Sequence, residues 1–127
     1  MAKKSAISGE YIVTVEDSGS IKVCKIFDNV KGSLRECAQT AAFKYDPDWT
    51  TRQFGNKLIK EYGDGNMAEI GEYMVVKRDS GSIETYRNYD NTKGALREIA
   101  ESIGFEFDPN WNTRQFGSKL VDFINKK

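Results

Sequence analysis

The stretch DPDWTTRQFGNKL at residues 46–58 returns as DPNWNTRQFGSKL at residues 108–120. Outward from this stretch the match extends without a gap from Gly9–Tyr62 to Gly71–Ile124, and roughly half of the paired positions are identical. Self-similarity at a constant offset is the signature of a repeated structural module. The sequence therefore predicts two copies of one module, residues 1–63 and residues 64–127.

The repeated stretch has the pattern of a helix start. Thr50 suits the N-cap position, which places Gln53 at N3 and completes a capping box. Trp49 then precedes the cap and Phe54 follows it at N4, the two positions of a hydrophobic staple. Asp46 and the proline after it break the preceding element. The second copy keeps the pattern with Trp111, Asn112, Gln115 and Phe116.

Two β-branched and aromatic runs precede this helix in each copy. In the first copy they are residues 11–15 and 21–27, joined by Asp-Ser-Gly-Ser at residues 17–20, which is typical of a β-hairpin. The period then changes to that of a helix, with apolar residues at i, i+3, i+4 and i+7. In the two copies these residues are Leu34, Cys37, Ala38 and Ala41, and Leu96, Ile99, Ala100 and Ile103.

The ends of this first helix are also marked. Asn29 and Asn91, or the aspartates before them, suit its N-cap. It should end near Phe43 in the first copy and at Gly104 in the second, where glycine suits the C-terminal cap. The alternation in residues 43–45 and 105–107 predicts a short third strand, so each module is expected to be β-β-α-(β)-α.

The predicted fold class is α+β. Each module is close to the size at which a single core is marginal, so we expect the two to pack as one pseudo-twofold unit. The antiparallel hairpins should form a shared sheet with the helices on one face, and two independent beads are the alternative. Gly55 and Gly117 lie inside a helix, where glycine costs about 1 kcal/mol, and close packing explains them better than a ligand does.

Composition excludes several classes of protein. The chain has 19 basic and 19 acidic residues, no histidine, and two cysteines, Cys24 and Cys37, both in the first copy. We expect these cysteines to be buried and reduced, with no metal site and no cofactor. No catalytic motif is present, so we expect no enzyme activity. No signal peptide or membrane span is predicted, and the expected location is the cytoplasm.

Basic residues at helix starts are the one feature that local structure does not explain. A cation there opposes the helix dipole, and like charges at i and i+4 repel. A phosphate would resolve the conflict. Acidic side chains of the same chain are the alternative, namely Asp46, Asp48 and Asp108 for the arginines and Asp28 and Asp90 for the lysines. The residues are Lys31, Arg35, Arg52, Lys57, Lys93, Arg97, Arg114 and Lys119.

The resulting hypothesis is a non-enzymatic binding protein that contacts DNA or RNA through these eight residues. The alternative is a protein–protein adaptor or inhibitor, for which Tyr86 and Tyr89 are candidate exposed side chains. Salt dependence would separate the two, because phosphate binding weakens steeply with salt.

Overall fold

The described residues form an α+β fold with six strands and four helices. The computed structural model describes residues 4–63 and 65–126. The strands are β1 (Lys4–Ser8), β2 (Tyr11–Val15), β3 (Ile21–Ile26), β4 (Met67–Ile70), β5 (Tyr73–Lys77) and β6 (Ile83–Asn88). The helices are α1 (Val30–Thr40), α2 (Thr51–Tyr62), α3 (Thr92–Ile103) and α4 (Thr113–Asn125). The strands pair antiparallel in two sets, in the order β1-β2-β3 and β6-β5-β4.

The helix starts are built as the repeated stretch predicts. At α2 the amide of Gln53 donates to Thr50 Oγ1 at 3.2 Å, and the amide of Thr50 donates to Gln53 Oε1 at 2.9 Å. At α4 Asn112 and Gln115 make the same reciprocal pair, at 2.8 Å and 3.0 Å. Both capping boxes are therefore confirmed.

The hydrophobic staples are confirmed as well. The ring of Trp49 meets that of Phe54 edge-on, with 5.9 Å between centroids, and Trp111 lies 6.1 Å from Phe116. Each pair spans the start of its helix, so it sets the direction in which the chain enters.

The caps of the first helix of each copy are the asparagines. Asn29 accepts a hydrogen bond from the amide of Gly32, and Asn91 accepts one from the amide of Gly94, both at 3.1 Å. A Cβ on either glycine would lie 2.4 Å from the Nδ2 of the capping asparagine. These two glycines therefore leave room for the cap.

In each module one strand was missing from the prediction, and one predicted strand does not form. β1 pairs with β2, and β4 pairs with β5. β1 and β4 carry little of the alternation that marks a strand, and their pairing with a neighbour is what extends them. Residues 43–45 and 105–107 are loop, not strand. Their alternating rings pack on the second helix instead: Tyr45 stacks on Phe54 at 4.7 Å, and Phe107 stacks on Phe116 at the same distance. Each module is thus β-β-β-α-α.

The chain divides into two compact units whose boundaries differ from the predicted modules. One unit comprises the residues up to Lys25 and those from Asn88 onward, and the other is Ile26–Arg87. The first unit combines strands of the first repeat with helices of the second. The other unit combines helices of the first repeat with strands of the second. Residues 1–63 and 64–127 describe the sequence repeat, while each compact unit takes parts from both repeats.

The hydrophobic core of each unit contains strand residues of one repeat and helix residues of the other. Within each unit the helices cover one face of the strands. In the first unit the core contains Ala6, Tyr11, Val13 and Val23 from the strands and Ala95, Leu96, Ile99, Ala100, Phe116, Leu120 and Val121 from the helices. In the other unit it contains Leu34, Cys37, Ala38, Phe54, Leu58 and Ile59 from the helices and Ala68, Ile70, Tyr73, Val75 and Ile83 from the strands.

The segment after β3 directs the first helix away from its own strands. The amide of Phe27 donates to the carbonyl of Thr85 at 2.9 Å, and Thr85 Oγ1 donates to the carbonyl of Phe27 at 3.3 Å. The chain has therefore joined β6 before α1 begins. In the first unit the amide of Tyr89 donates to the carbonyl of Val23 at 2.9 Å, which places α3 in the same way.

The central strands are buried on both faces. Ile12 and Cys24 are register partners on the face of β2 and β3 away from the helices, and both are buried. Met74 and Tyr86 occupy the same positions in the other unit and are also buried. Burial of both faces explains why β2 and β5 are apolar along nearly their whole length.

Gly55 and Gly117 are packing glycines, as expected. A Cβ on Gly55 would lie 2.7 Å from Ile83 Cγ1, and a Cβ on Gly117 would lie 2.6 Å from Ile21 Cδ1. Real Cβ atoms do not approach side-chain carbons this closely, so each glycine lets a helix of one repeat rest on a strand of the other.

Gly55→Ala should destabilise the protein by about 1–3 kcal/mol, because overpacking outweighs the better helix propensity of alanine. In an Ile83→Ala background the same substitution should become neutral or stabilising, and a double-mutant cycle from urea melts measures this coupling. Asn56→Ala, at an exposed position of the same helix, is the control and should not lower stability. Additive effects of Gly55→Ala and Ile83→Ala would contradict the contact.

The ends of α1 and α3 differ at one backbone position. Gly104 has φ +71°, and its amide caps α3 as predicted. The matching residue in the first copy is Ala42, whose φ is +55°. The amide of the next residue, Phe43, donates to the carbonyl of Ala38 at 2.8 Å, so the same capping turn forms with a residue that disfavours it.

Ala42→Gly should stabilise the protein by about 0.5–1 kcal/mol, because it removes the strain of a left-handed alanine at an exposed site. Gly104→Ala should destabilise by a similar amount. Ala41→Gly, one residue earlier at φ −88°, is the control and should lower stability. Thermal melts of the three variants test this, and a destabilised Ala42→Gly variant would contradict it.

Candidate nucleic-acid interface

The arginines of the repeated stretch lie over hairpin turns of the opposite repeat. Arg52 and Arg114 are exposed in the first turn of α2 and α4. Arg52 Nη1 is 3.3 Å from the point where a Cβ on Gly81 would lie, and Arg114 Nη1 is 3.2 Å from that point on Gly19. Both glycines have φ +91°, as the hairpin pattern predicts. Each guanidinium is therefore held between a helix start and a turn.

None of the expected internal ion pairs is present within residues 4–63 and 65–126. Ion pairs found there include those of Lys4 with Asp122, Lys25 with Glu10, Arg78 with Glu84 and Arg87 with Glu72. Asp46 and Asp108 instead accept the amides of Asp48 and Asn110, each at 2.9 Å, within their own turns. The eight basic residues thus have no carboxylate partner in the described part of the chain.

All four helix starts lack acidic compensation. The first turns of α1, α2, α3 and α4 contain no aspartate or glutamate. Within these first turns the side chains are therefore only basic or neutral, which favours an external anion at the positive end of the helix dipole.

Lys57 and Lys119 each lie over a tryptophan ring. The distance from Nζ to the ring centroid is 5.1 Å for Lys57 on Trp49 and 5.3 Å for Lys119 on Trp111. Such a cation–π contact positions the ammonium group without neutralising its charge. The tryptophan of the staple therefore has a second role in placing a cation near the helix start.

A shallow groove in the first unit brings two of the predicted residues together. Arg114 and Lys119 line it from α4, beside the turn at Gly19. Gln115, Ser118, Asp122 and Val15 complete the lining.

The basic residues of α1 and α3 occupy matching positions. Lys31 and Lys93 are half-buried in the first turn, and Arg35 and Arg97 are exposed one turn later. Within the described residues, no hydrogen bond or ion pair joins them to the arginines of α2 and α4. The predicted residues therefore form two kinds of basic position in each unit, and Arg114 and Lys119 line a common groove.

Sequence reasoning missed a cation held by aromatic rings at the end of β3 and β6. Lys25 Nζ lies 5.8 Å from the ring centroid of Tyr11 and 5.5 Å from that of Tyr89. Arg87 has the same relation to Tyr73 and Phe27, at 5.9 Å and 5.7 Å. The signal was present in the repeat, since a basic residue and an aromatic recur at these positions.

The tyrosines of these clusters are tied to acidic side chains. Tyr11 donates to Glu98 Oε2 at 3.2 Å, and burial together with this bond raises the pKa of Tyr11 to about 12. Burial and a hydrogen bond to Glu36 also raise the pKa of Tyr73. These rings therefore fix α3 and α1 against the strands.

Two side chains proposed for a protein-binding surface are not exposed. Tyr86 is buried, with 1% of its surface accessible, and donates to Glu84 Oε1 at 2.8 Å. Tyr89 is half-buried and packs against the core of its unit. Both expectations were wrong, because the register of β6 turns Tyr86 inward and the ring of Tyr89 packs edge-on against that of Tyr11 at 5.7 Å.

The cysteines are buried, as predicted, and no disulfide joins them. Burial, with a contribution from Glu36, raises the pKa of Cys37 to about 12, so its thiol is unreactive at neutral pH. No group of three or more potential ligands in residues 4–63 and 65–126 could hold a metal ion. No helix in the same residues has the length and apolar content to cross a membrane.

A scan against protein-family models and searches of curated proteins and of solved structures find no match to this chain.

Alkaline pH should destabilise the protein partly through Tyr11. Its pKa is raised in the folded state, so its contribution is complete below pH 10 and is lost as the pH rises from 10 towards 12. In Tyr11→Phe the free energy of unfolding should fall less steeply over this window, while stability at pH 8 should drop by about 1 kcal/mol because the hydrogen bond is absent. Urea melts at several pH values measure both effects. Equal slopes for the parent and the variant would contradict the assignment.

Proposed function

We propose that this chain is a non-enzymatic binding protein that contacts nucleic-acid phosphates through basic helix starts in both repeats. The observation that carries the proposal is the pair Arg52 and Arg114. Each lies at a helix start that has no acidic residue and finds no carboxylate partner in the described residues. An internal ion pair was the competing explanation.

The local chemistry suits a phosphate oxygen. The capping box occupies the amide of Gln53, while the amides of the first helical residues have no acceptor within the helix. A phosphate placed there would accept from these amides and from the guanidinium of Arg52, with the helix dipole favouring its charge. The same groups recur at Arg114.

Two such positions in one chain suit a partner that repeats its charge, as a nucleic-acid backbone does. Because the net charge is zero, attraction would be local and the affinity strongly dependent on salt. We also propose that the two modules are related by a pseudo-twofold axis. The proposed location is the cytoplasm, where both cysteines would be reduced.

A protein partner is the alternative, and less supports it. Tyr62 is the only large apolar side chain exposed in residues 4–63 and 65–126, at 41% of its surface. A single exposed ring does not make an apolar patch of the size that protein interfaces use.

The double variant Arg52→Ala with Arg114→Ala tests the proposal. Its affinity for fluorescent single-stranded DNA, duplex DNA and RNA should fall roughly tenfold or more at 50–100 mM salt, since each charge-assisted bond is worth about 1.5–3 kcal/mol. The slope of log K against log salt should decrease by roughly 0.7–0.9 for each phosphate that the variant no longer neutralises. Stability should stay level or rise slightly, because unfavourable dipole interactions are removed.

The control is Lys44→Ala with Lys126→Ala, which changes the net charge equally at exposed positions outside the helix starts. It should bind within about twofold of the parent, because long-range charge effects are screened at this salt concentration. Reduced stability of the arginine variant with unchanged binding would point to an internal role. Absence of binding by the parent at low salt would reject nucleic acid and favour a protein partner.

A further inference from the structure

The residues that line the groove along α4 have counterparts in the first repeat along α2, and the surface at these matching positions is called the α2 groove. The alignment of the repeats matches Arg114 with Arg52 and Lys119 with Lys57. The two arginines have the same relation to their turns, and the two lysines have the same relation to their tryptophans. The two surfaces therefore share one construction, and their differences lie at a few positions.

Among the residues that line the α4 groove, two have counterparts of different charge. Asp122 lines the α4 groove, and Lys60 stands at the matching position of α2. Val15 lines the α4 groove from β2, and Lys77 stands at the matching position of β5. The α4 groove thus contains two basic side chains and one acidic side chain, whereas the α2 groove has four basic side chains at the corresponding positions.

The ion pairs made by these side chains do not remove the difference in charge between the two grooves. In the α4 groove Asp122 pairs with Lys4 at 3.5 Å, so this pair adds no net positive charge and the basic character of the groove comes from Arg114 and Lys119. In the α2 groove, among the described residues, no carboxylate pairs with Lys60 or Lys77. The nearby Arg78 is already paired with Glu84 at 3.6 Å.

We propose that the α2 groove, formed by Arg52, Lys57, Lys60 and Lys77, is the principal phosphate-binding surface and that the α4 groove is subsidiary. The inference rests on the proposed function, since it names which copy of the site holds the nucleic-acid backbone. The chain presents one strong and one weak surface, so it engages a strand asymmetrically despite its repeated sequence.

Two matched variants of the full chain test this. Arg52→Ala with Lys57→Ala and Arg114→Ala with Lys119→Ala remove the same groups, the same charge and one cation–π pair each. Binding to a fluorescent single-stranded 20-mer DNA is measured by anisotropy at 50, 100 and 200 mM salt. The α2 variant should lose roughly tenfold or more in affinity and more of the salt slope, while the α4 variant should lose less than about threefold.

A charge exchange makes the test independent of folding defects. Lys60 and Asp122 are both exposed, so Lys60→Asp with Asp122→Lys keeps the composition and spares the core. In this background the ranking should reverse, and the α4 variant should become the more damaging. Thermal melts of every variant check that the fold is intact.

The outcomes separate the two proposals. If the parent binds DNA and both double-alanine variants lose affinity equally, or if the charge exchange leaves their ranking unchanged, the asymmetry is refuted while nucleic-acid binding stands. If the parent does not bind at low salt, the proposed function fails and this inference fails with it.

Discussion

The contact between a helix glycine and a strand isoleucine is the constraint on which the rest of the structure depends. Gly55 rests on Ile83, and Gly117 rests on Ile21, with no space for a Cβ at either glycine. Each contact joins a helix of one repeat to a strand of the other. The core of each unit is therefore assembled from both repeats, and neither repeat completes a core with its own strands and helices.

The same close approach positions the basic side chains. Because α2 lies directly on the strands of the other repeat, its first turn reaches the hairpin at Gly81, and Arg52 extends over that turn. The capping box and the staple fix where the helix begins, so the arginine is set within one turn of its start. Packing, capping and the placement of charge are thus consequences of one short stretch of sequence.

Retention of uncompensated cations at helix starts costs stability, by a few tenths of a kcal/mol each. Both repeats accept this cost at the same positions, although an aspartate or glutamate in the first turn would remove it. The residues that differ between repeats are also informative. The first repeat has Ala42 where the second has Gly104, and this difference changes the energy of the left-handed backbone conformation. The first repeat has Lys60 where the second has Asp122, and this difference changes the charge of an exposed surface and leaves the core intact.

Much of the local structure could be predicted from the sequence, because helix caps, staples and amphipathic faces depend on residues a few positions apart. Thr50 with Gln53, Trp49 with Phe54 and the period of α1 belong to this class. β1 and β4 could not be predicted, since their short runs become strands only by pairing with β2 and β5. The aromatic residues at positions 43 and 45 alternate along the sequence as the residues of a strand do. They alternate because both rings pack against the second helix.

The sequence by itself determined the repeat, the helices with their caps, the central strands and the basic residues of the candidate site. Tertiary structure alone decided which helices cover which strands. The helices of a repeat would bury nearly the same side chains on their own strands as on the strands of the other repeat, because the two repeats share most core residues. Composition and periodicity therefore do not distinguish these two arrangements. The choice is made where Phe27 pairs with Thr85 and Tyr89 with Val23. Hydrogen bonds between positions about sixty residues apart leave no periodic trace in the sequence, and they carry each pair of helices onto the strands of the other repeat.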